Sequence, residues 1–298
     1  MKPAATKTYH ARFQRALRYI DEHLDEDLSL EVLSGVAAFS KYHFHRQFTR
    51  LLGVTVHQYV QMVRSKRASY RLAFRADQSV LEIALDSGYE GPEAFSRAFK
   101  QRTGQNPSEF RKQPDWIPWH AAHQPVGKTR GMRMTASHAD EQIRFVDFKE
   151  TRVAVLEHRG DPITIGDSIR RFIAWRKGMA LPPRSSATFN ILYDDPSTTA
   201  PEAFRLDLCA VTEREIAPND AGVVVKMIPG GRCAVLRHTG ADDGLAAALR
   251  YLYADWLPRS GEALRDFPPY LQRVTFFPDV PEGEAVTDIF LPLAAPVP

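Results

Sequence analysis

The sequence lacks long apolar runs, and nothing in it approaches the roughly 18–20 consecutive apolar residues that a membrane-spanning helix needs. Its first residues, MKPAATKTYHARF, contain no apolar core of the kind found in secretory signals. We therefore expect a cytoplasmic protein that does not associate with a membrane.

Cysteine is also scarce. The two cysteines, Cys209 and Cys233, cannot form a disulfide framework and show no CxxC spacing. Both lie in alternating apolar segments, FRLDLCAV and GRCAVL. This pattern favours buried free thiols over catalytic cysteines.

Signs of catalysis or of a bound cofactor are missing as well. The chain has no Gly-rich phosphate-binding loop and no evident arrangement of nucleophile and base. Three histidines, His43, His45 and His57, could suggest a metal site. However, the i,i+4 spacing that suits two ligands on one helix is missing, and no cysteine or carboxylate completes a set. We predict no catalytic residue, no metal site and no cofactor.

Charge is unevenly shared along the 298 residues, although the formal net charge is only +3. Residues 1–113 hold 18 Lys and Arg against 12 Asp and Glu, which leaves 21 and 24 of the totals of 39 and 36 for residues 114–298. A basic first part joined to a mildly acidic second part indicates a polyanionic partner for the first part only. The length suggests two domains, at about 100–200 residues each.

The first part contains an internal repeat. The segment FHRQFTRLLG, which ends at Gly53, recurs 51 residues later as FSRAFKQRTG, which ends at Gly104. Each copy predicts two helices, the first capped by Ser29 or Ser79 and the second ended by its glycine. Two helices joined by a tight turn, with a basic second helix, form the helix-turn-helix pattern. A long connecting helix, VHQYVQMVRSKRASYRLAFRA, is predicted between the two copies.

The second part repeats too. The segment RVAVLEHRGD recurs 80 residues later as RCAVLRHTGA, and an amphipathic helix that contains a tryptophan follows each copy. A further apolar segment precedes each copy, and strand-like segments follow it. His158 and His238 occupy equivalent strand ends, where turn structure explains them as well as a ligand contact does.

These patterns predict two domains. An all-α double helix-turn-helix domain occupies residues 1–113, and an α+β domain of two pseudo-symmetric halves, with a cleft where the halves meet, occupies residues 141–298. Residues 114–140 contain prolines and glycines and little periodicity, so we expect a linker that is partly packed through Trp116 and Trp119.

Residues from about 9 to 112 resemble the DNA-binding domain of the AraC/XylS family of transcription regulators. The matching segments are FSKYHFHRQFTRLLGVTVHQYV and IALDSGYEGPEAFSRAFKQRTGQNPSEFR. The resemblance implies double-stranded DNA and RNA polymerase as partners. It places base contacts at Tyr42, His45 and Arg46 of the first copy and at the matching positions of the second. Ser40, Thr55 and Lys66 are candidate phosphate contacts, which position the domain without reading sequence. The predicted DNA-contact residues are Ser40, Lys41, Tyr42, His45, Arg46 and Thr49 in the first copy, and Pro92, Glu93, Arg97 and Lys100 in the second. Glu93 could accept a hydrogen bond from cytosine or could simply favour the helix dipole.

Residues from about 141 to 298 resemble the GyrI-like effector-binding domain, through the paired strand–helix–Trp halves and ILYDDP. The resemblance implies a small-molecule effector, often aromatic and cationic, held beside a cleft glutamate. In this chain the matching position is Gln272, which cannot ionise and therefore favours a neutral or hydrogen-bonding ligand. Candidate ligand contacts are Trp175, Tyr193, Tyr251, Trp256, Tyr270 and Gln272, although the aromatic residues could equally be hydrophobic core.

These features leave three alternative hypotheses for the function. The first is a ligand-responsive, sequence-specific transcription regulator, and we expect the protein not to be an enzyme. The second is a hydrolase, which Gln272 disfavours because a glutamine cannot act as a base. The third is a constitutive DNA-binding protein whose second domain is structural or binds a partner. The sequence leaves the oligomeric state open.

Overall fold

The computed structural model describes residues 3–133 and 142–295. By contact the chain divides into two units. The first unit is Met1–Thr135 together with Phe277–Gly283, and the second is Ala136–Phe276 together with Glu284–Pro298. The predicted domain limits at residues 1, 140, 141 and 298 lie outside the described residues.

Residues 3–133 of the first unit are mainly helical. Two helix pairs, α2–α3 and α5–α6, flank the long helix α4, as the repeat predicts. The helices are α1 (Pro3–Glu22), α2 (Leu30–Val36), α3 (Lys41–Leu52), α4 (Val56–Phe74), α5 (Val80–Asp86), α6 (Pro92–Thr103), α7 (Pro107–Lys112) and α8 (Trp116–Arg133). None of the helices within the described ranges is both long and apolar enough to cross a membrane.

The predicted helix ends are confirmed. The side chain of Ser29 accepts a hydrogen bond from the Val32 amide, and that of Ser79 accepts one from the Glu82 amide. Gly53 and Gly104 end α3 and α6 in the left-handed region, with φ of 72° and 83°. A residue without a Cβ adopts this conformation without strain, so the two glycines stop the two helices in the same way.

Paired phenylalanines form the inward faces of α3 and α6, as predicted. Phe44 and Phe48 are fully buried, with ring centroids 5.5 Å apart. Phe95 and Phe99 take the same places in α6, with centroids 5.4 Å apart. Because residues four apart lie on one face of a helix, burying each pair turns the opposite face of α3 and α6 to solvent.

The predicted linker contains a helix. Residues 116–133 form α8, and Trp116 and Trp119 are buried in the first unit with ring centroids 5.4 Å apart. Pro118 does not prevent the helix, because the amide of a first-turn residue has no intrahelical partner to lose. Burial of the two indoles thus supports a helix that periodicity did not indicate.

The second unit is built on one eight-stranded antiparallel sheet with the strand order β1-β6-β8-β7-β3-β4-β2-β5. The strands are β1 (Ile143–Phe148), β2 (Thr151–Arg159), β3 (Thr188–Leu192), β4 (Arg205–Val211), β5 (Val224–Ile228), β6 (Gly231–Thr239), β7 (Tyr270–Arg273) and β8 (Val286–Pro292). Helix α9 (Ile165–Gly178) follows β2. Helix α10 (Leu245–Arg250) follows β6 and continues through a π-helical turn (Tyr251–Trp256) into α11 (Leu257–Ser260).

The two halves of this sheet exchange their first strands. β1 precedes β2 in the chain but pairs with β6, whereas β5 precedes β6 but pairs with β2. This exchange brings together the turns that lead into β2 and β6. The contact is close, because a Cβ built on Gly230 would lie 2.8 Å from the amide nitrogen of Glu150. Neither half could form its complete sheet without the other.

The sheet is strongly curled. The rings of Phe148 in β1 and Phe189 in β3 have centroids 5.9 Å apart, although β6, β8 and β7 lie between the two strands. In a flat sheet the two strands would be about 19 Å apart, at roughly 4.8 Å per strand. The concave face holds the aromatic cluster Phe148, Phe189, Tyr270 and Phe290. The opposite face packs against α9 and α10.

Candidate functional site

Helix α3 presents its predicted DNA-contact residues to solvent. Tyr42 is 82% exposed, and His45 and Arg46 are exposed beside it. The Ser40 hydroxyl caps the helix by accepting a hydrogen bond from the His43 amide at 3.4 Å. Lys41 is also exposed and forms an ion pair with Glu31, which a phosphate would have to displace.

Thr49 differs from its predicted neighbours. Thr49 as a whole is half-buried, but its hydroxyl oxygen is fully buried and has no hydrogen-bond partner among the described residues. A direct contact from this hydroxyl to DNA therefore requires the side chain to rotate.

Helix α6 repeats this arrangement. Pro92 occupies its first turn, and Glu93, Arg97 and Lys100 are exposed. A Cβ built on the N-cap residue Gly91 would lie 3.4 Å from Glu93 Oε2, so this carboxylate lies close to the start of the helix. That position suits an interaction with the helix dipole, and the side chain is also exposed enough to contact a base.

Lys66 is the one predicted phosphate contact that the structure corrects. Its ammonium lies 2.8 Å from Glu282 Oε1, and the two side chains are only 11% and 8% exposed. A lysine held in a buried ion pair is a structural residue, because reaching DNA would require breaking that pair. Ser40 and Thr55, by contrast, are N-cap residues at the starts of α3 and α4.

The predicted ligand contacts fall on two faces of the curled sheet. Tyr193, Tyr270 and Gln272 belong to the concave face, where Tyr270 stacks on Phe290 with ring centroids 4.8 Å apart. Trp175, Tyr251 and Trp256 pack under the helices on the opposite face. The structure therefore brings together three of the six predicted residues.

Gln272 occupies a central position on the concave face. It lies directly opposite Phe189 of β3 on one side and Asp288 of β8 on the other. Its side chain is half-buried. An amide at this place can donate and accept hydrogen bonds but adds no charge to the face.

A cluster of ionised groups lies on the concave face beside Tyr193. Lys226 Nζ is 2.7 Å from Asp207 Oδ2 and 2.6 Å from Glu157 Oε1, and the Tyr193 hydroxyl donates to Asp207 at 3.0 Å. Burial acts to lower the pKa of Lys226, but its two carboxylate partners outweigh burial and raise that pKa. The lysine therefore stays charged and neutralises part of the cluster.

A second cluster lies in the other half, around Asp288, which Arg144 and Arg237 bind. Neither cluster was predicted from the sequence. The available signal was a single aspartate within each of two apolar strands, FRLDLCAV and VTDIFLPL. An aspartate at an inward position of a strand is costly unless it is paired, so each one indicates a nearby cation.

The two cysteines are buried and free, as predicted. The sulfur of Cys233 lies 3.3 Å from the Tyr270 hydroxyl. Burial raises the pKa of both thiols, so they remain protonated at neutral pH and are poor nucleophiles. His158 and His238 are also buried, bonded to the Ser168 hydroxyl and the Ala241 carbonyl respectively.

Comparison with known proteins finds a matching family for a large part of each unit. The profile of the GyrI-like small molecule binding domain matches residues 141–294, and a helix-turn-helix domain profile matches residues 33–113. The chain is 39% identical over 153 residues to the probable transcriptional regulator YgiV of Escherichia coli (strain K12), which covers 51% of this chain and 96% of YgiV. It is 35% identical over 103 residues to the uncharacterized HTH-type transcriptional regulator YbfP of Bacillus subtilis (strain 168), over 35% of each chain.

The solved structure of the EcmrR C-terminal domain is similar over 52% of this chain and 98% of that one, with 18% identity and a TM-score of 0.42.

The fold and the matched profiles define a DNA-binding transcription regulator with a small-molecule-binding domain. The chain belongs to the GyrI-like small molecule binding family, and that domain is joined here to an AraC-type helix-turn-helix domain.

Proposed function

We propose that this regulator binds specific double-stranded DNA sites through α3 and α6, and that a small aromatic or lipophilic ligand on the concave face changes this binding. The observation that carries the DNA-binding part is the exposure of Arg46 and Arg97 at matched positions of the two helices. Both arginines lie two residues after a buried phenylalanine and project from the opposite side of the helix.

The chemistry of arginine suits this role. A helix fits the major groove, where a guanidinium can donate two hydrogen bonds to O6 and N7 of one guanine. Two such helices on one connecting helix can enter successive major grooves, which lie about 34 Å apart on one DNA face. A single chain would then recognise two groove segments.

The test compares Arg46→Ala and Arg97→Ala with Arg50→Ala. Arg50 is an exposed arginine of α3 whose counterpart in α6 is Gln101, so the repeat gives it no matched role. At DNA sites selected from a random pool, we expect each matched-arginine variant to lose about 1–3 kcal/mol of binding free energy. On random DNA the loss should be much smaller, and Arg50→Ala should not discriminate between the two kinds of DNA. Equal losses on both kinds of DNA would show that Arg46 and Arg97 contact phosphates only.

We further propose that the protein is a regulator without enzymatic activity, acting in the cytoplasm with RNA polymerase as a partner. The names of the two curated relatives as transcriptional regulators support this role. The two thiols are buried and protonated, and the amide of Gln272 cannot act as a base. The carboxylates of the concave face, Glu157, Asp207 and Asp288, are each held in ion pairs.

Ligand binding distinguishes the proposed sensor from the alternative, a constitutive DNA-binding protein whose second domain binds no small molecule. A ligand that binds the folded state raises the melting temperature by mass action. No rise across a panel of aromatic cations, acids and neutral compounds would favour the constitutive protein.

A further inference from the structure

Two arginines share one buried carboxylate on the concave face. Arg237 binds both oxygens of Asp288, at 2.7 and 2.8 Å, and Arg144 binds Oδ2 at 2.6 Å. The Asp288 side chain is 5% exposed, whereas those of Arg144 and Arg237 are 51% and 55% exposed. Burial acts to raise the pKa of Asp288, but the guanidinium groups outweigh burial and lower that pKa. The three ionised groups therefore leave one excess positive charge that faces solvent.

The equivalent position in the other half of the sheet has a different net charge. Glu157 lies opposite Asp207 there, just as Arg237 lies opposite Asp288 here. Lys226 bridges the two carboxylates, and Arg159 binds Glu157 at 2.9 Å. Two negative and two positive groups balance, so the excess positive charge belongs to the Asp288 half.

Half-buried apolar side chains continue from Arg144 along β1. Val146 and Phe148 lie two and four residues from Arg144 on the same face of this strand, and the Phe148 ring packs on the buried Phe290 of β8. At about 3.3 Å per residue, these separations are roughly 7 and 13 Å, comparable to the length of a two-ring aromatic compound. Gln272, beside Asp288, adds no negative charge that would cancel the excess.

We propose that the Arg144–Arg237 pair binds the carboxylate of an aromatic acid whose rings pack toward Phe148, so that the effector is an aromatic anion rather than a lipophilic cation. Guanidinium groups present planar, charge-assisted donors that match a carboxylate, and partial burial strengthens such bonds. The inference rests on the proposed sensing function and names its ligand class.

The experiment uses two probes that share one ring system and differ in charge, 2-naphthoate and 2-naphthylmethylammonium. Each is titrated calorimetrically into the full chain at low salt. We expect 2-naphthoate to bind about tenfold or more tightly than the cation. Arg144→Gln should weaken 2-naphthoate by about fivefold or more, because one charge-assisted contact is lost. This variant should fold normally, because Arg237 still binds both Asp288 oxygens.

Two further variants complete the test. Arg159→Gln removes an arginine that is 63% exposed in the balanced half and should leave 2-naphthoate affinity unchanged. Gln272→Glu adds a carboxylate beside Asp288, and we expect it to weaken 2-naphthoate and to strengthen the cation.

Tighter or equal binding of the cation to the unaltered chain, an unchanged affinity in Arg144→Gln, or no binding of either probe at millimolar concentration would each overturn the inference. DNA binding is measured on the same preparations. Retained DNA binding without 2-naphthoate binding rejects the ligand class alone, whereas absent DNA binding rejects the proposed function.

Discussion

His123 shows how burial alone changes the chemistry of one residue. Its Nδ1 lies 2.8 Å from the Trp119 carbonyl oxygen, and its Nε2 lies 3.3 Å from the Ser65 hydroxyl. Burial lowers its pKa to about 3, with nearby Lys66 and Arg102 acting in the same direction. The imidazole is consequently neutral in the folded protein, with Nδ1–H donating to the carbonyl and Nε2 accepting from Ser65.

We predict that His123 makes the first unit sensitive to mild acid. In the unfolded chain a histidine titrates near its ordinary pKa of about 6.5, whereas the folded protein resists protonation. The contribution of the neutral His123 to the free energy of unfolding is therefore fully present above pH 6.5. It is lost as the pH falls from 6.5 toward the folded-state pKa of about 3. Between pH 7 and pH 5 the loss should be about 2 kcal/mol of unfolding free energy.

Urea unfolding of the native chain and of His123→Gln at both pH values measures this effect. The variant should lack the histidine contribution, while His57→Gln, which changes an exposed histidine, should retain it. An identical pH dependence in all three proteins would show that His123 is not the group responsible.

At the scale of elements, helix ends were predictable and helix α8 was not. Caps and terminal glycines act within three or four residues, so Ser29, Ser79, Gly53 and Gly104 could be assigned from neighbouring residues. Helix α8 has no comparable local pattern, and it depends on burial of Trp116 and Trp119. The strands TFNIL, RLDLCAV, YLQR and VTDIFLP were predictable from their apolar composition.

Two glycines give a matched test of backbone conformation. A Cβ at Gly104 or at Gly35 would meet no atom within 4 Å, but only Gly104 has a positive φ, of 83°. We expect Gly104→Ala to lower the free energy of unfolding by about 1–2 kcal/mol, the cost of a left-handed residue. Gly35→Ala, in helix α2, should raise it by about 0.5–1 kcal/mol.

Thermal or urea unfolding of both variants checks this prediction. Because neither position has steric obstacles, opposite signs can arise only from conformational preference. Destabilisation of similar size in both variants would contradict the assignment of Gly104 as a left-handed helix end.

At the scale of the whole molecule, the two units are not continuous in sequence, because a short segment of the second half of the chain belongs to the first unit. The segment Phe277–Gly283 lies between β7 and β8 in sequence but belongs by contact to the first unit. Glu282 binds Lys66, and Asp279 binds Arg75 at 2.6 Å. The Tyr70 and Phe277 rings meet with centroids 5.0 Å apart. Helix α4 is thus packed in part by residues that follow it by about two hundred positions in the sequence.

We predict that Glu282→Gln destabilises the first unit by about 3 kcal/mol, because it removes one charge of a buried ion pair. Asp279→Asn removes a carboxylate that is 55% exposed and should cost less than about 1 kcal/mol. Fluorescence of Trp116 and Trp119 during urea unfolding reports on this unit, measured with Trp175 and Trp256 replaced by phenylalanine. Equal effects of the two substitutions would show that Glu282 does not stabilise through burial.

The sequence by itself determined the doubled helix-turn-helix, its inward phenylalanines and its outward arginines, because helical periodicity and capping are properties of neighbouring residues. It also determined the repeat of the second unit. Only the tertiary structure decided that β1 and β5 are exchanged between halves, that the sheet curls around Phe148, and that Arg144 and Arg237 meet at Asp288. Each of these features joins residues far apart in the chain, and no local preference distinguishes the pairing that forms from the alternatives.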